Sequence, residues 1–112
     1  MRKKTNPGEM NTQRIVKMHY EERALIRQEL ELRGIPCVKG KRSLVNMEFT
    51  QGNLSIFFDN DFNNNKYYGI IVRDGDTLCR HVLETRDCYK GFIRNIRKAI
   101  RYPMWKGTKH GH

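Results

Sequence analysis

The sequence predicts an α+β fold, in which a small antiparallel meander of three to four strands is flanked by an N-terminal and a C-terminal helix. Apolar residues recur at helical spacing near both ends of the chain, and they alternate with polar residues through its middle. The predicted order is α-β-β-β-β-α, and 112 residues fit one domain. Both helices are expected on one sheet face, which leaves the other face to solvent or a partner.

The first helix is expected to begin at Asn11 or Thr12, both competent N-caps, and to stop at Gly34 just before Pro36. Residues 1–10 combine three cations with a proline and a glycine, a composition typical of a flexible basic arm. The predicted organisation is therefore an arm over residues 1–10, a single α+β domain over 11–102 and a basic tail rich in aromatic and histidine residues over 103–112.

The strands are predicted from segments that alternate between apolar and polar residues. Residues 44–49 and 54–58 alternate on either side of Gln51 and Gly52, which indicates two strands joined by a tight turn. After a polar loop over residues 60–65, two further strands at 67–72 and 78–83 flank Asp74-Gly75, a strong hairpin signal.

The last helix is predicted over residues 86–101, with Thr85 as its N-cap, Asp87 in its first turn and Pro103 limiting its length. At about 100° per residue, five apolar side chains fall on one side and are expected to face the sheet: Tyr89, Phe92, Ile93, Ile96 and Ile100.

A stripe of cations is predicted on the outer side of this helix. Four cations, spaced four, three and four residues apart, form the stripe: Lys90, Arg94, Arg97 and Arg101. Two further cations, Arg86 and Lys98, lie beside it. Residues 86–112 hold eight Lys or Arg and one Asp, a net charge of +7 out of +10 for the whole chain. Like charges at neighbouring helix positions oppose helix formation, so the stripe suggests an anionic partner.

The function predicted from this pattern is phosphate-based binding of nucleic acid, DNA or RNA, by a protein that is not an enzyme and needs no cofactor. Tyr102 and His110 place further rings near the stripe, where rings stack on bases. The predicted binding residues are Arg86, Lys90, Arg94, Arg97, Lys98, Arg101, Trp105, Lys106 and Lys109.

Two other functions stay open at this stage. The basic surface also suits an inhibitor or adaptor, of the kind phages use against host defences, that docks on an acidic protein or a ribonucleoprotein. A small nuclease would draw on scattered candidates that no motif fixes in space, so no catalytic residue is assigned: His19, Glu22, Glu48, Asp59, Asp61 and His81. A membrane partner is disfavoured because the apolar side of the last helix is committed to the core.

The remaining signals concern metals and location. No segment has the roughly 20 apolar residues of a membrane span, and three cysteines at irregular spacing suggest reduced thiols, so a cytoplasmic protein is expected. Cys79, His81 and Cys88 lie close in sequence, but they lack the paired spacing of a zinc site and no metal site is assigned. Residues 59–65 start like a calcium loop and lack its later ligands.

The layout of helix, meander and helix is similar to that of double-stranded-RNA-binding domains, and Arg86 and Lys90 stand near the start of the last helix, where such domains hold phosphates. The resemblance is one of layout, with a fourth strand added.

The sequence also indicates a second candidate surface for nucleic acid, the open sheet face. Neighbouring aromatic residues there suit base stacking: Phe57, Phe58, Tyr67 and Tyr68.

Overall fold

The computed structural model of the chain describes residues 7–40 and 45–108, and it confirms the predicted α+β meander. The elements are α1 (Pro7–Leu32), β1 (Cys37–Lys39), β2 (Glu48–Gln51), β3 (Leu54–Asp61), β4 (Lys66–Arg73), β5 (Asp76–Val82) and α2 (Arg86–Arg101). The strands form one antiparallel sheet in the order of the chain, β1-β2-β3-β4-β5.

The sheet has five strands where the sequence predicts three to four. The additional strand, β1, has three residues and pairs Cys37 with Phe49 at the sheet edge. It lies between Pro36 and Gly40, and three residues are too few for an alternating pattern to be recognised.

The first helix begins earlier than predicted, at Pro7, so residues 7–10 of the predicted arm belong to α1. Proline is favourable at the first position of a helix because its missing N–H has no partner there in any case. Residues 1–6 of the predicted arm lie outside the described residues.

The core lies between the sheet and the two helices. Ile26 and Leu30 enter it from α1, and Tyr89, Phe92 and Ile96 enter it from α2, all fully buried. The facing strand residues alternate along the chain as a half-buried sheet requires, with Phe49, Ile56, Phe58, Ile71 and Cys79 buried. Both helices therefore cover one face of the sheet, as predicted.

Strand pairing is fixed at the hairpin that the sequence signals most strongly. Asp74 and Gly75 both have positive φ angles, 53° and 82°, which is the conformation of a two-residue turn of type I′.

Neither described helix is long and apolar enough to cross a membrane.

Candidate nucleic-acid interface

The orientation of α2 is set by its cap and by its apolar side. The Thr85 side chain accepts a hydrogen bond from the Cys88 backbone N–H at 3.2 Å, and Asp87 lies in the first turn, as predicted. Tyr89, Phe92 and Ile96 are fully buried, while Ile93 and Ile100 pack against the core from its border. The opposite side of α2 is thereby turned to solvent.

All six predicted cations of α2 are exposed on this outer side, but they do not form one uniform stripe. Arg86 donates to Glu22 and to Glu21 of α1, at 2.7 Å each. Arg97 donates to both carboxylate oxygens of Glu29, also in α1, at 2.8 and 2.7 Å. We call Arg86 and Arg97 the paired arginines.

The paired arginines join the two helices. Arg86 at the start of α2 meets Glu21, and Arg97 further along α2 meets Glu29 further along α1, so the helices run in the same direction side by side. Hydrogen bonds from the guanidinium groups hold the pKa values of Glu21 and Glu29 below the usual range for glutamate. These two arginines therefore have a structural role within the fold.

We expect the Arg97→Gln substitution to reduce the free energy of unfolding by no more than about 1 kcal/mol, because the ion pair is largely exposed to solvent. The folded pKa of Glu29 is depressed, so the contribution is present above the ordinary glutamate pKa and is lost as pH falls through the folded value. Chemical denaturation of parent and variant at neutral and acid pH measures it. A difference that persists at pH 2 would contradict the ion-pair assignment.

The other four cations of α2 make no ion pair with any described residue: Lys90, Arg94, Lys98 and Arg101. We call them the outer row. Its first and last members are eleven residue steps apart, about 16 Å along the helix. Its members are neighbours at spacings of four, four and three residues, at which like charges repel one another.

Interaction with the helix dipole favours only two of the four cations of the outer row. Lys98 and Arg101 lie in the last turn, where a cation interacts favourably with the helix dipole. Lys90 lies in the N-terminal half and Arg94 near the middle, so neither gains from the dipole, and neither forms an ion pair with a carboxylate of the described residues. These two cations oppose the helix and have no compensating contact within the described residues.

The described part of the predicted tail, residues 103–108, is attached to the domain by several contacts. The Trp105 side chain packs against the core, its carbonyl accepts a hydrogen bond from Arg73, and the Thr108 N–H donates to the Leu78 carbonyl at 3.0 Å. Lys106 is exposed, and Tyr102 is exposed beside the Arg101 guanidinium, 5.5 Å from its ring centroid. Lys109, His110 and His112 lie outside the described residues.

The structure places the residues considered for zinc on β5 and at the start of α2. Cys79 is buried in the core beside the Asn95 amide, and burial raises the pKa of its thiol. Cys88 lies at the first turn of α2, and His81 lies under the middle of that helix. Over residues 7–40 and 45–108, no group of three or more His, Cys, Asp or Glu is arranged to hold a metal ion.

A buried polar network joins α1 to α2, and sequence patterns do not reveal it. Arg23, only 3% exposed, donates from Nε to the Tyr89 hydroxyl at 3.0 Å and from Nη2 to Asn60 at 2.9 Å. The hydroxyl lies 2.5 Å from Nδ1 of His19, whose pKa is lowered to about 4 by burial and by the Arg23 charge. His19 is therefore neutral at physiological pH, which fits a proton donated to Nδ1 by Tyr89.

Beside this network lies a cleft of about 190 Å³, lined by α1 and the turn between β3 and β4. Its walls are mainly apolar, with Val16, Tyr20 and Phe62 at the rim. Tyr20 lies on the side of α1 opposite Glu29, which faces α2. The cleft and the outer row are consequently separated by α1.

The open sheet face differs from α2 in charge. Of the aromatic pairs considered for base stacking, Phe57 and Tyr68 lie on this face, and the Arg80 guanidinium already lies 3.8 Å from the Tyr68 ring centroid. The register places six charged residues of the strands on the open face. The positive charges of Lys39, Lys66 and Arg80 equal in number the negative charges of Glu48, Asp59 and Asp61, so the formal charge of this set is zero. The excess positive charge is on the helical side.

The fold and site define a small α+β protein with a basic helix on its surface. The chain matches no protein-family model, no curated protein and no solved structure.

Proposed function

We propose that the protein binds nucleic acid through its phosphates, using the outer row of α2 as the principal contact surface. The observation that carries this proposal is the division among the six cations. Two of them are satisfied by carboxylates of α1, whereas the four of the outer row remain exposed without an ion pair in the described residues. A phosphate backbone supplies the missing counter-charges and offsets the repulsion along the helix.

The length of the outer row fits a nucleic-acid strand. Phosphates follow one another every 3.4 Å along the axis of one DNA strand, so about 16 Å of helix faces up to about five of them. Each cation of the row therefore has a separate phosphate within its span. The electrically balanced open face of the sheet offers no comparable surface.

The exposed residues of α2 favour contacts to the backbone over contacts to bases. Besides the six cations, its exposed side chains include only Asp87, and its one amide, Asn95, is buried against Cys79. Adenine is typically read by Asn or Gln, and guanine by Arg or Lys. No exposed residue of α2 is of the type that reads adenine, whereas its Arg and Lys side chains suit phosphates first and, among the bases, guanine.

The test is the salt dependence of binding, measured by fluorescence anisotropy with labelled single- and double-stranded DNA and RNA. Four phosphate contacts predict a slope of log K against log salt concentration near −3.6 on duplex DNA, a loss of roughly 100-fold between 50 and 200 mM salt. On a single strand the expected slope is near −2.8.

Two outcomes would contradict this function. Absence of binding to every nucleic acid would exclude it, and a slope near zero would exclude the phosphate contacts. Capture of one acidic protein that survives nuclease treatment, together with no nucleic-acid binding, would favour the inhibitor or adaptor instead.

A further inference from the structure

Aromatic rings line the cleft between α1 and the turn that joins β3 to β4. The rings of Phe62 and Tyr67 are arranged edge to face, with 6.1 Å between their centroids, and Phe62 is 63% exposed. A cavity of about 150 Å³ is large enough for a benzene ring. The volume of about 190 Å³ therefore suits a ligand with one aromatic ring and a small substituent.

His19 adds a hydrogen-bond donor to the lining of this cleft. Its Nδ1 atom accepts the proton of the Tyr89 hydroxyl, whose oxygen accepts a hydrogen bond from Nε of Arg23. A neutral imidazole carries one N–H group, which is consequently at Nε2. Nε2 has no hydrogen-bond partner among the described residues, and no buried side-chain nitrogen of these residues lacks one, so Nε2 is open to solvent.

The charge of Arg23 determines which ligands the cleft favours. The guanidinium is part of the lining and is almost completely buried, and it donates to the Val45 carbonyl at 2.8 Å and to Asn60 at 2.9 Å. Its positive charge lowers the pKa of His19, so a further positive charge beside the imidazole is disfavoured. Among the described residues, the lining of the cleft includes no carboxylate. An anion is therefore favoured over a cation at this place.

We propose that this cleft binds a small aromatic carboxylate, whose ring packs against Tyr67 and Phe62 and whose carboxylate accepts a hydrogen bond from Nε2 of His19. A hydrogen bond to an ionised acceptor is stronger than one between neutral groups. The inference goes beyond the proposed function and does not depend on it, since α1 separates the cleft from the outer row. The site involves binding alone, without a covalent step.

The ring and the carboxylate of the ligand are recognised by different parts of the cleft. Pairing between aromatic rings adds roughly two- to tenfold in affinity beyond the burial of apolar surface. A hydrogen bond to a charged group adds roughly tenfold or more. Removal of either feature from the ligand, or of its counterpart from the protein, should therefore have a separate and measurable effect.

The experiment is a titration of the isotope-labelled full chain with benzoate, followed through the backbone amide shifts in two-dimensional NMR spectra. We expect a dissociation constant on the order of 1 mM, as is usual for so small a probe, and the largest shifts in residues 16–23 and 60–67. Cyclohexanecarboxylate has the same charge without an aromatic ring and should bind roughly two- to tenfold more weakly. Benzamidine, an aromatic cation, should not produce these shifts.

Two substitutions remove the proposed contacts one at a time. His19→Phe keeps a ring but removes the N–H donor, and it should weaken benzoate binding roughly tenfold or more. Phe62→Ala removes an exposed wall of the cleft and should weaken binding roughly two- to tenfold. Tyr102→Ala is the matched control, because Tyr102 is an exposed ring beside a guanidinium, that of Arg101, outside the cleft. We expect this control to bind benzoate as the parent does.

Thermal unfolding of each variant establishes that the fold is intact. Because Phe62 is largely exposed, its substitution tests the site even if His19→Phe destabilises the protein. Absence of amide shifts at about 20 mM benzoate would overturn the site, and so would equal affinities for benzoate and cyclohexanecarboxylate. Equal losses in Phe62→Ala and Tyr102→Ala would also overturn it, because benzoate would then bind exposed rings in general. None of these results bears on nucleic-acid binding, which is measured separately.

Discussion

Replacing the whole outer row by glutamine is expected to weaken nucleic-acid binding about 10³-fold at 0.1 M salt. Four phosphate contacts contribute a factor of roughly 10 to the power 3.6 at this concentration on duplex DNA, and glutamine removes them while it retains helix propensity. The salt slope should fall close to zero together with the affinity. Fluorescence anisotropy over a salt series measures both quantities in the variant Lys90→Gln/Arg94→Gln/Lys98→Gln/Arg101→Gln.

A control of equal net charge separates the outer row from the general positive charge of the chain. Four exposed cations elsewhere on the described surface serve for this variant: Arg14→Gln, Lys17→Gln, Lys39→Gln and Lys66→Gln. Each variant lowers the formal charge from +10 to +6. We expect the control to lose less than tenfold in affinity, because distant exposed charges are screened within about 10 Å at 0.1 M salt. Equal losses in the two variants would show that nucleic acid is attracted by overall charge and not by α2.

The sequence predicts the exposure of all six cations of α2, because the information is local. Periodicity over residues 86–101 determines which side of α2 meets the sheet, and Thr85 determines where the helix begins. The exposed cations then follow from the geometry of a single helix. The Asp74-Gly75 hairpin is predictable for the same reason, since its two residues carry the turn conformation themselves.

The division of the cations into two groups depends on contacts that are distant in sequence. Glu29 and Arg97 are 68 residues apart, and they meet only because α1 and α2 lie in parallel on the same sheet face. No pattern within α2 distinguishes Arg97 from Arg94, although one binds a carboxylate and the other is left to solvent. The hydrogen bond between His19 and Tyr89, which are 70 residues apart, likewise requires the two helices to lie side by side.

Gly69 of β4 determines how closely α2 approaches the sheet, and we expect the Gly69→Ala substitution to cost about 3 kcal/mol of unfolding free energy. A Cβ atom there would lie 2.4 to 2.6 Å from three ring carbons of Phe92, so the fully buried ring or the backbone of β4 would have to shift. Overpacking of this kind typically costs 1–3 kcal/mol. The melting temperature should fall by roughly 10 °C or more.

Two comparisons assign the loss to the contact between Gly69 and Phe92. Gly34→Ala introduces a methyl group into open space at a positive φ of 79°, so it costs only the backbone strain, about 1–2 kcal/mol. The double substitution Gly69→Ala/Phe92→Leu replaces the ring by a smaller side chain and should lose less stability than the two single changes added together. Strict additivity would mean that Phe92 does not hold α2 against β4, and the outer row would then be positioned by the paired arginines and by the remaining core contacts alone.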